Sequence, residues 1–185
     1  FISPIESRTL GNNMSSAYNL LPSSQYFNYV IDPVITFDNS NLLSSWREKY
    51  GSEINAGIDL YNFLSDQSRE ILPTKSDLVS LPTLNKNLLD SSNEIHNTTL
   101  DNWEVPEGIT LTEIAGWGED TLSGIKYYQG ISTKCEITGI LYSCLKYSTS
   151  SVLEYNPIIT SDGDGTVVVP SALWTASSTS VGKYW

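Results

Sequence analysis

Positive charge is in short supply in this sequence. Ten Lys and Arg stand against 21 Asp and Glu, giving a formal net charge of −11 at pH 7. Nucleic-acid backbones are held mainly by Lys and Arg, so this balance argues against a nucleic-acid partner. No apolar run approaches the ~20 residues that a membrane-spanning helix needs, and no charged-then-apolar leader opens the chain. Neither a Gly-x-Gly-x-x-Gly nor a Walker-type phosphate loop is present. Gly-x-Ser-x-Gly, the elbow that presents a catalytic serine, is missing as well. Histidine is represented by His96 alone. The chain starts at Phe1 without a methionine, which reads as a processed or trimmed segment.

Cysteine is nearly as scarce. Cys135 and Cys144 bracket the segment EITGILYS. A two-residue, Gly-first turn at Gly139-Ile140 would place them directly opposite one another in a non-hydrogen-bonded pair, close enough to bridge. A disulfide there implies an oxidising compartment. The alternative is two buried thiols in a reduced protein, and spacing alone leaves both open.

What is present suffices for one domain with a real core: 185 residues, 39% of them hydrophobic, with five Trp and eleven Tyr. Residues 1–35 read as irregular, with one short helix or turn at SSAYNLLPS. From 41 to about 102 the texture is helical. In NLLSSWREKY, Leu42, Leu43, Trp46 and Tyr50 fall on one stripe, and Gly51 ends it. That stripe reads as core packing rather than as an acyl-chain or membrane contact. IDLYNFLSDQSREIL offers Ile58, Leu60, Tyr61, Leu64 and Ile71 less regularly, and the segment from 76 to 103 continues past a break at Pro82. After VPEG the texture changes. ITLTEIAG, IKYYQGIS, KCEITGILYSCLKYS and NPIIT are rich in Ile, Thr and Tyr, punctuated by glycine, and read as strands. Asn13-Met14-Ser15 and Asn97-Thr98-Thr99 fit the glycosylation triplet.

The stretch SDGDGTVVVPSALW (161–174) carries the most chemistry. An EF-hand-like register with Gly165 at position 6 places Asp162 and Asp164 at positions 3 and 5. Val168 then falls at position 9 and Ser171 at position 12, so the closing carboxylate is missing. Calcium is not expected on that count, nor is any other metal. A plain turn suits Asp and Gly equally well. The setting favours more than a turn: an apolar segment runs into it, and in open α/β sheets chemistry sits just beyond the carboxyl ends of strands.

This stretch resembles the acid motif of the lecithin:cholesterol acyltransferase-like α/β-hydrolases, a family that includes lysosomal phospholipases and bacterial lipases. SSAYNLLPSSQYF (15–27) is similar to the segment that follows that family's nucleophile. LDNWEVPEGITLTEIAGWGEDTLSGIKYY (100–128) is similar to its next core strand and loop. The resemblance implies a partial α/β-hydrolase fold, of α/β class. Residues 1–40 would be a core segment following the nucleophile, 41–104 a helical cap or lid, and 105–185 the last core strands with the acid loop and a β-hairpin extension.

It further implies that Asp164 is the catalytic acid and that Asp162 shapes the turn. The family's order is Ser, Asp, His, and His96 precedes Asp164. His96 is therefore expected to be structural, and nucleophile and base to lie outside this chain. Thr121 matches a family loop position without a derivable role, and Gly116 and Gly118 let a loop pass close to the site. The expected activity is that of a serine lipase, phospholipase or acyltransferase, needing no cofactor and acting on a lipid or acyl ester. The expected partners are the rest of the hydrolase polypeptide and, transiently, a membrane or lipid surface. The expected location is extracellular or at the cell surface. The rival expectation is a non-catalytic binding domain on a degenerate hydrolase scaffold.

Overall fold

The first helix is announced by its cap rather than by its composition. In the computed structural model, which describes residues 3–74, 84–138, 144–174 and 181–185, α1 spans Pro4–Asn12. The Ser3 hydroxyl accepts from the Glu6 amide, and the Glu6 carboxylate accepts from the Ser3 amide at 2.8 Å. This reciprocal capping, with Pro in the first turn, satisfies two of the orphan N–H groups at the helix start. The irregular reading of residues 1–35 is thus corrected: the Ser-Pro-Ile-Glu signal is present, and α2 (Ser15–Asn19) is the short helix the sequence suggested.

The stretch read as helical contains one strand, and another lies just before it. β1 (Ile35–Phe37) and β2 (Glu53–Ile54) pair antiparallel around α3 (Ser44–Tyr50) and precede α4 (Gly57–Ser65). α5 (Lys86–Ile95) runs into a π-helical turn, His96–Leu100. The break expected at Pro82 lies outside the described residues. Then come β3 (Leu111–Ile114), β4 (Thr121–Thr138), β5 (Cys144–Thr160), α6 (Val169–Ala172) and β6 (Val181–Tyr184).

One sheet has the order β2-β1-β4-β5, with β1 parallel to β4 and the other pairs antiparallel. The second is a two-stranded parallel pair of β3 and β6. Helices and a mixed sheet make this an α/β molecule.

The core lies where α3 and α4 cover β1, β2 and the start of β4. Leu43 and Ile54 are fully buried, and Phe37, Trp46, Phe63 and Tyr127 pack as one aromatic cluster with centroids 5.5–6.4 Å apart. Such ring pairs add to simple area burial. Trp46 meets its one polar need by donating Nε1–H to the Glu70 carbonyl at 3.0 Å. The expected stripe on α3 does face the core. Of the looser stripe, Leu60 is buried and Leu64 packs against the core, but Ile58 and Ile71 are exposed, and Phe63, which the pattern left out, is 2% exposed at the cluster's centre.

Beyond Gly130 the β4–β5 hairpin leaves the body as a two-stranded arm. Near its tip Cys135 and Cys144 form a disulfide with Cα atoms 5.7 Å apart. The expected register is corrected: Cys135 lies opposite Tyr147 and Thr138 opposite Cys144, because bulges at 135–138 shift the ladder. An extra residue in one strand slides every later pair. The turn expected at Gly139-Ile140 lies outside the described residues. Among the described residues no helix is long and apolar enough to cross a membrane, and the disulfide suits an oxidising compartment.

Candidate functional site

β5 ends at Thr160 and delivers the chain into the acidic turn. The Asp162 amide donates to the Thr160 hydroxyl oxygen at 3.1 Å, and its carbonyl accepts from the Val169 amide at 2.9 Å. Its carboxylate makes no hydrogen bond among the described residues. Asp164 behaves differently. One carboxylate oxygen, Oδ1, accepts from the Val167 amide at 2.8 Å and from the Thr166 amide at 2.9 Å. Those two amides favour the charged form, and hold the carboxyl below its ordinary range. Oδ2 has no partner among the described residues.

The turn is held from beneath by Thr121, the first residue of β4. Its side chain is fully buried. Oγ1 accepts from the Gly165 amide at 2.7 Å and donates to the Glu119 carbonyl at 2.9 Å. A Cβ on Gly163 would fall 2.5 Å from that same Oγ1, so glycine is required for Thr121 to reach the turn. Gly165 has φ 88°, a left-handed conformation that glycine adopts without cost. Sequence reading placed Thr121 at this loop but found no role for it. Its role spans 44 residues of chain, and nothing in the local pattern signals that.

Asp164 also sits past the C-terminal end of β3. Glu119 bridges to Asp164, the Gly118 amide donates to the Ser161 carbonyl at 2.8 Å, and a Cβ on Gly116 would meet the Asp164 Cβ at 3.0 Å. Gly116 therefore permits the loop after β3 to pass against the acid.

The residues immediately after Asp164 enter the wall of a cavity of about 650 Å³. Thr166, Val167, Pro170 and Trp174 line it together with Tyr26, Phe63, Leu100 and Ile125. Asp164 itself is exposed and does not line this cavity. Asp164 closes its own turn through Oδ1 and leaves Oδ2 toward solvent.

His96 lines the cavity far from any nucleophilic role. Its Nδ1 faces Asp101 Oδ1 at 3.1 Å and its Nε2 faces the Asn19 carbonyl at 3.0 Å. With an acceptor at each nitrogen, the ring ties α2 to the end of α5, and donates on both sides only when charged. Asp101 Oδ2 and Asn19 Oδ1 are buried in the same wall without a hydrogen-bond partner among the described residues.

Compared with known proteins, the chain matches no family model, and no curated protein or solved structure is significantly similar to it.

Proposed function

We propose that this chain is the C-terminal part of a serine hydrolase or acyltransferase of the α/β-hydrolase fold that acts on lipid esters. Asp164 serves as the acid, and the rest of the polypeptide supplies nucleophile and base. The observation that carries this reading is the half-engaged carboxylate of Asp164. One oxygen is fixed by two backbone amides, the other is open, and the group sits beyond the C-terminal end of a strand in a parallel pair. A triad acid must be ionised, oriented and free on one side, so that it fixes the tautomer of a histidine and stabilises its cation. The cavity walled by Val167, Pro170 and Trp174 is apolar and large enough for an acyl chain.

In the proposed reaction a serine attacks the ester carbonyl, and the histidine takes its proton and returns it to the leaving alcohol. Asp164 remains ionised throughout. Water or a second alcohol then releases the acyl group.

The exposure of Asp164 outside the cavity wall favours a second reading, a binding domain that holds its ligand intact. Two variants of the full-length protein separate the readings. Asp164→Asn keeps a carbonyl oxygen to accept from Val167 and Thr166, so the turn survives, and turnover on a lipid ester is expected to fall ~10⁴-fold, as in other serine triads. Asp162→Asn is expected to retain turnover. If Asp162→Asn is the dead variant, the acid has been misplaced by two residues. If both variants stay fully active, the triad reading is wrong.

A further inference from the structure

One stretch of the cavity lining is polar, and the reading above leaves it unused. Asp101 and Asn19 both line the cavity and flank the same imidazole, Asp101 Oδ1 at Nδ1 of His96 and the Asn19 carbonyl at Nε2. Beyond those contacts each side chain keeps one acceptor, Asp101 Oδ2 and Asn19 Oδ1, buried and without a hydrogen-bond partner among the described residues. The Asp101 side chain is only 8% exposed. A buried acceptor left unmatched costs about 1–3 kcal/mol, and more where the group is charged. Two beside one ring call for a donor.

The rest of the lining says what that donor is attached to. Leu60, Phe63, Ile125 and Trp174 give the wall its apolar character, which suits an apolar body. Among the described residues no Lys or Arg lines the cavity. The Tyr26 hydroxyl in the same wall is held above its ordinary range, first by burial and then by the charges of Asp32 and Asp162. Those carboxylates add a negative field at the wall.

Head groups can then be compared by counting donors. A carboxylate brings no donor and adds like charge beside Asp101, which burial makes costly. An acyl tail fills the apolar wall but leaves both acceptors unmatched. A hydroxyl brings one donor. A primary ammonium brings three donors, no acceptor and a compensating charge. It alone among these answers both oxygens at once. Both oxygens are covered as they stand, but χ2 of Asp and Asn is a broad torsion, and a modest turn presents either one to the cavity.

We propose that the cavity binds an apolar primary amine, its ammonium donating to Asp101 Oδ2 and Asn19 Oδ1 and its body packed against Leu60, Phe63, Ile125 and Trp174. The site stands apart from the role of Asp164, which does not line the cavity. The test is a series of head groups on one tail, measured by isothermal titration calorimetry with the full chain at neutral pH: octylamine, octanol, octanoate and octyltrimethylammonium. Octylamine is expected to bind at least about tenfold tighter than octanol, the difference a charged hydrogen bond supplies, and octanoate to bind most weakly. Octyltrimethylammonium keeps the charge but has no N–H, and is expected to fall to the level of octanol. That comparison separates a built site from general attraction to an acidic chain. Asp101→Asn is expected to remove the advantage of the amine over the alcohol, and Trp174→Ala to weaken both alike. The proposal is overturned if octylamine binds no tighter than octanol, or if octanoate or octyltrimethylammonium matches it. It is equally overturned if the preference survives in Asp101→Asn, or if Trp174→Ala leaves octylamine binding unchanged. Should circular dichroism show that Asp101→Asn does not fold, the head-group series on the parent protein decides alone. Asp164→Asn is expected to bind octylamine as the parent does, so a failed triad leaves the amine site standing.

Discussion

At Gly163 a single hydrogen atom stands where any other residue would carry a carbon, and the geometry of the acid turn depends on it. Adding that carbon pushes Thr121, fully buried, off the Gly165 amide. Gly163→Ala is therefore expected to disturb the placement of Asp164 without touching its charge. Thr121→Val keeps the shape and removes the acceptor, leaving the Gly165 N–H unmatched at a cost of ~1–3 kcal/mol. Both variants should lower melting temperature and, in the full-length protein, turnover; unchanged turnover in both would mean that the turn's geometry is irrelevant to the chemistry. A second expectation concerns acid. Asp66 is held far below its ordinary range by Lys49, Ser68 and Tyr50, Asp90 below it by Lys86 and Tyr61, and Asp164 by its turn amides. A folded-state pKa depressed below the unfolded value, about 3.9 for Asp, contributes stability above that pH, and the contribution is lost as pH falls through the folded value. Melting temperature should be flat from pH 7 to 5 and drop below about pH 4. Asp66→Asn should be less stable at pH 7 and show a shallower acid slope, and a parent that gains stability toward pH 3 would contradict the assignment. At this scale the residue types of the turn were legible, since Asp and Gly announce it. Which carboxylate closes the turn was not, because that depends on hydrogen bonds set by backbone angles.

Among the elements, those with strong local signals were readable and those made by distant contacts were not. The stripe of Leu43, Trp46 and Tyr50 gave α3, and the Ile/Thr/Tyr texture gave β4 and β5. β1 and β2 are three and two residues long and exist because they pair with each other and with residues 125–127. No periodicity can develop over that length. α1 was legible in principle from its capping box, but its residues show little apolar stripe. The arm allows an element-scale prediction. Removing the disulfide by Cys135→Ser with Cys144→Ser frees a short loop, worth ~2–3 kcal/mol to whatever unfolds with it. The arm projects from the core, so it is expected to open by itself. Amide exchange at residues 131–138 should accelerate at least tenfold while the global melting temperature moves little. A large fall in global melting temperature would show instead that arm and core unfold as one unit.

For the molecule as a whole, buried apolar mass is unevenly placed. The aromatic cluster gathers under α3 and α4, against β1 and β4, whereas the side that carries Asp164 buries little beyond Ala115 and Val169. There β3 and β6 form a parallel pair of four residues each, closed by the Ala115 amide donating to the Tyr184 carbonyl at 2.9 Å. Ile114 at 78% exposed, Tyr184 at 62% and Trp117 at 65% stand around this pair. Parallel strands occur almost only in sheets covered on both faces, so a two-stranded exposed pair is the least self-sufficient part of the molecule. On the proposed reading it is the edge of a larger parallel sheet completed by the rest of the hydrolase, with Asp164 at the carboxyl end where such sheets hold their chemistry. Hydrogen exchange tests this in one comparison. In the chain alone, the amides of residues 112–115 and 182–184 should exchange at least ~100-fold faster than those of residues 125–127, which pair with β1 inside the core. In the full-length protein the same amides should become protected to a similar degree as the core strands, because neighbouring strands and covering helices would close both faces. Protection that stays low in the full-length protein would remove the larger sheet that the hydrolase reading requires around Asp164, leaving a binding domain as the better account of the acid turn and its cavity.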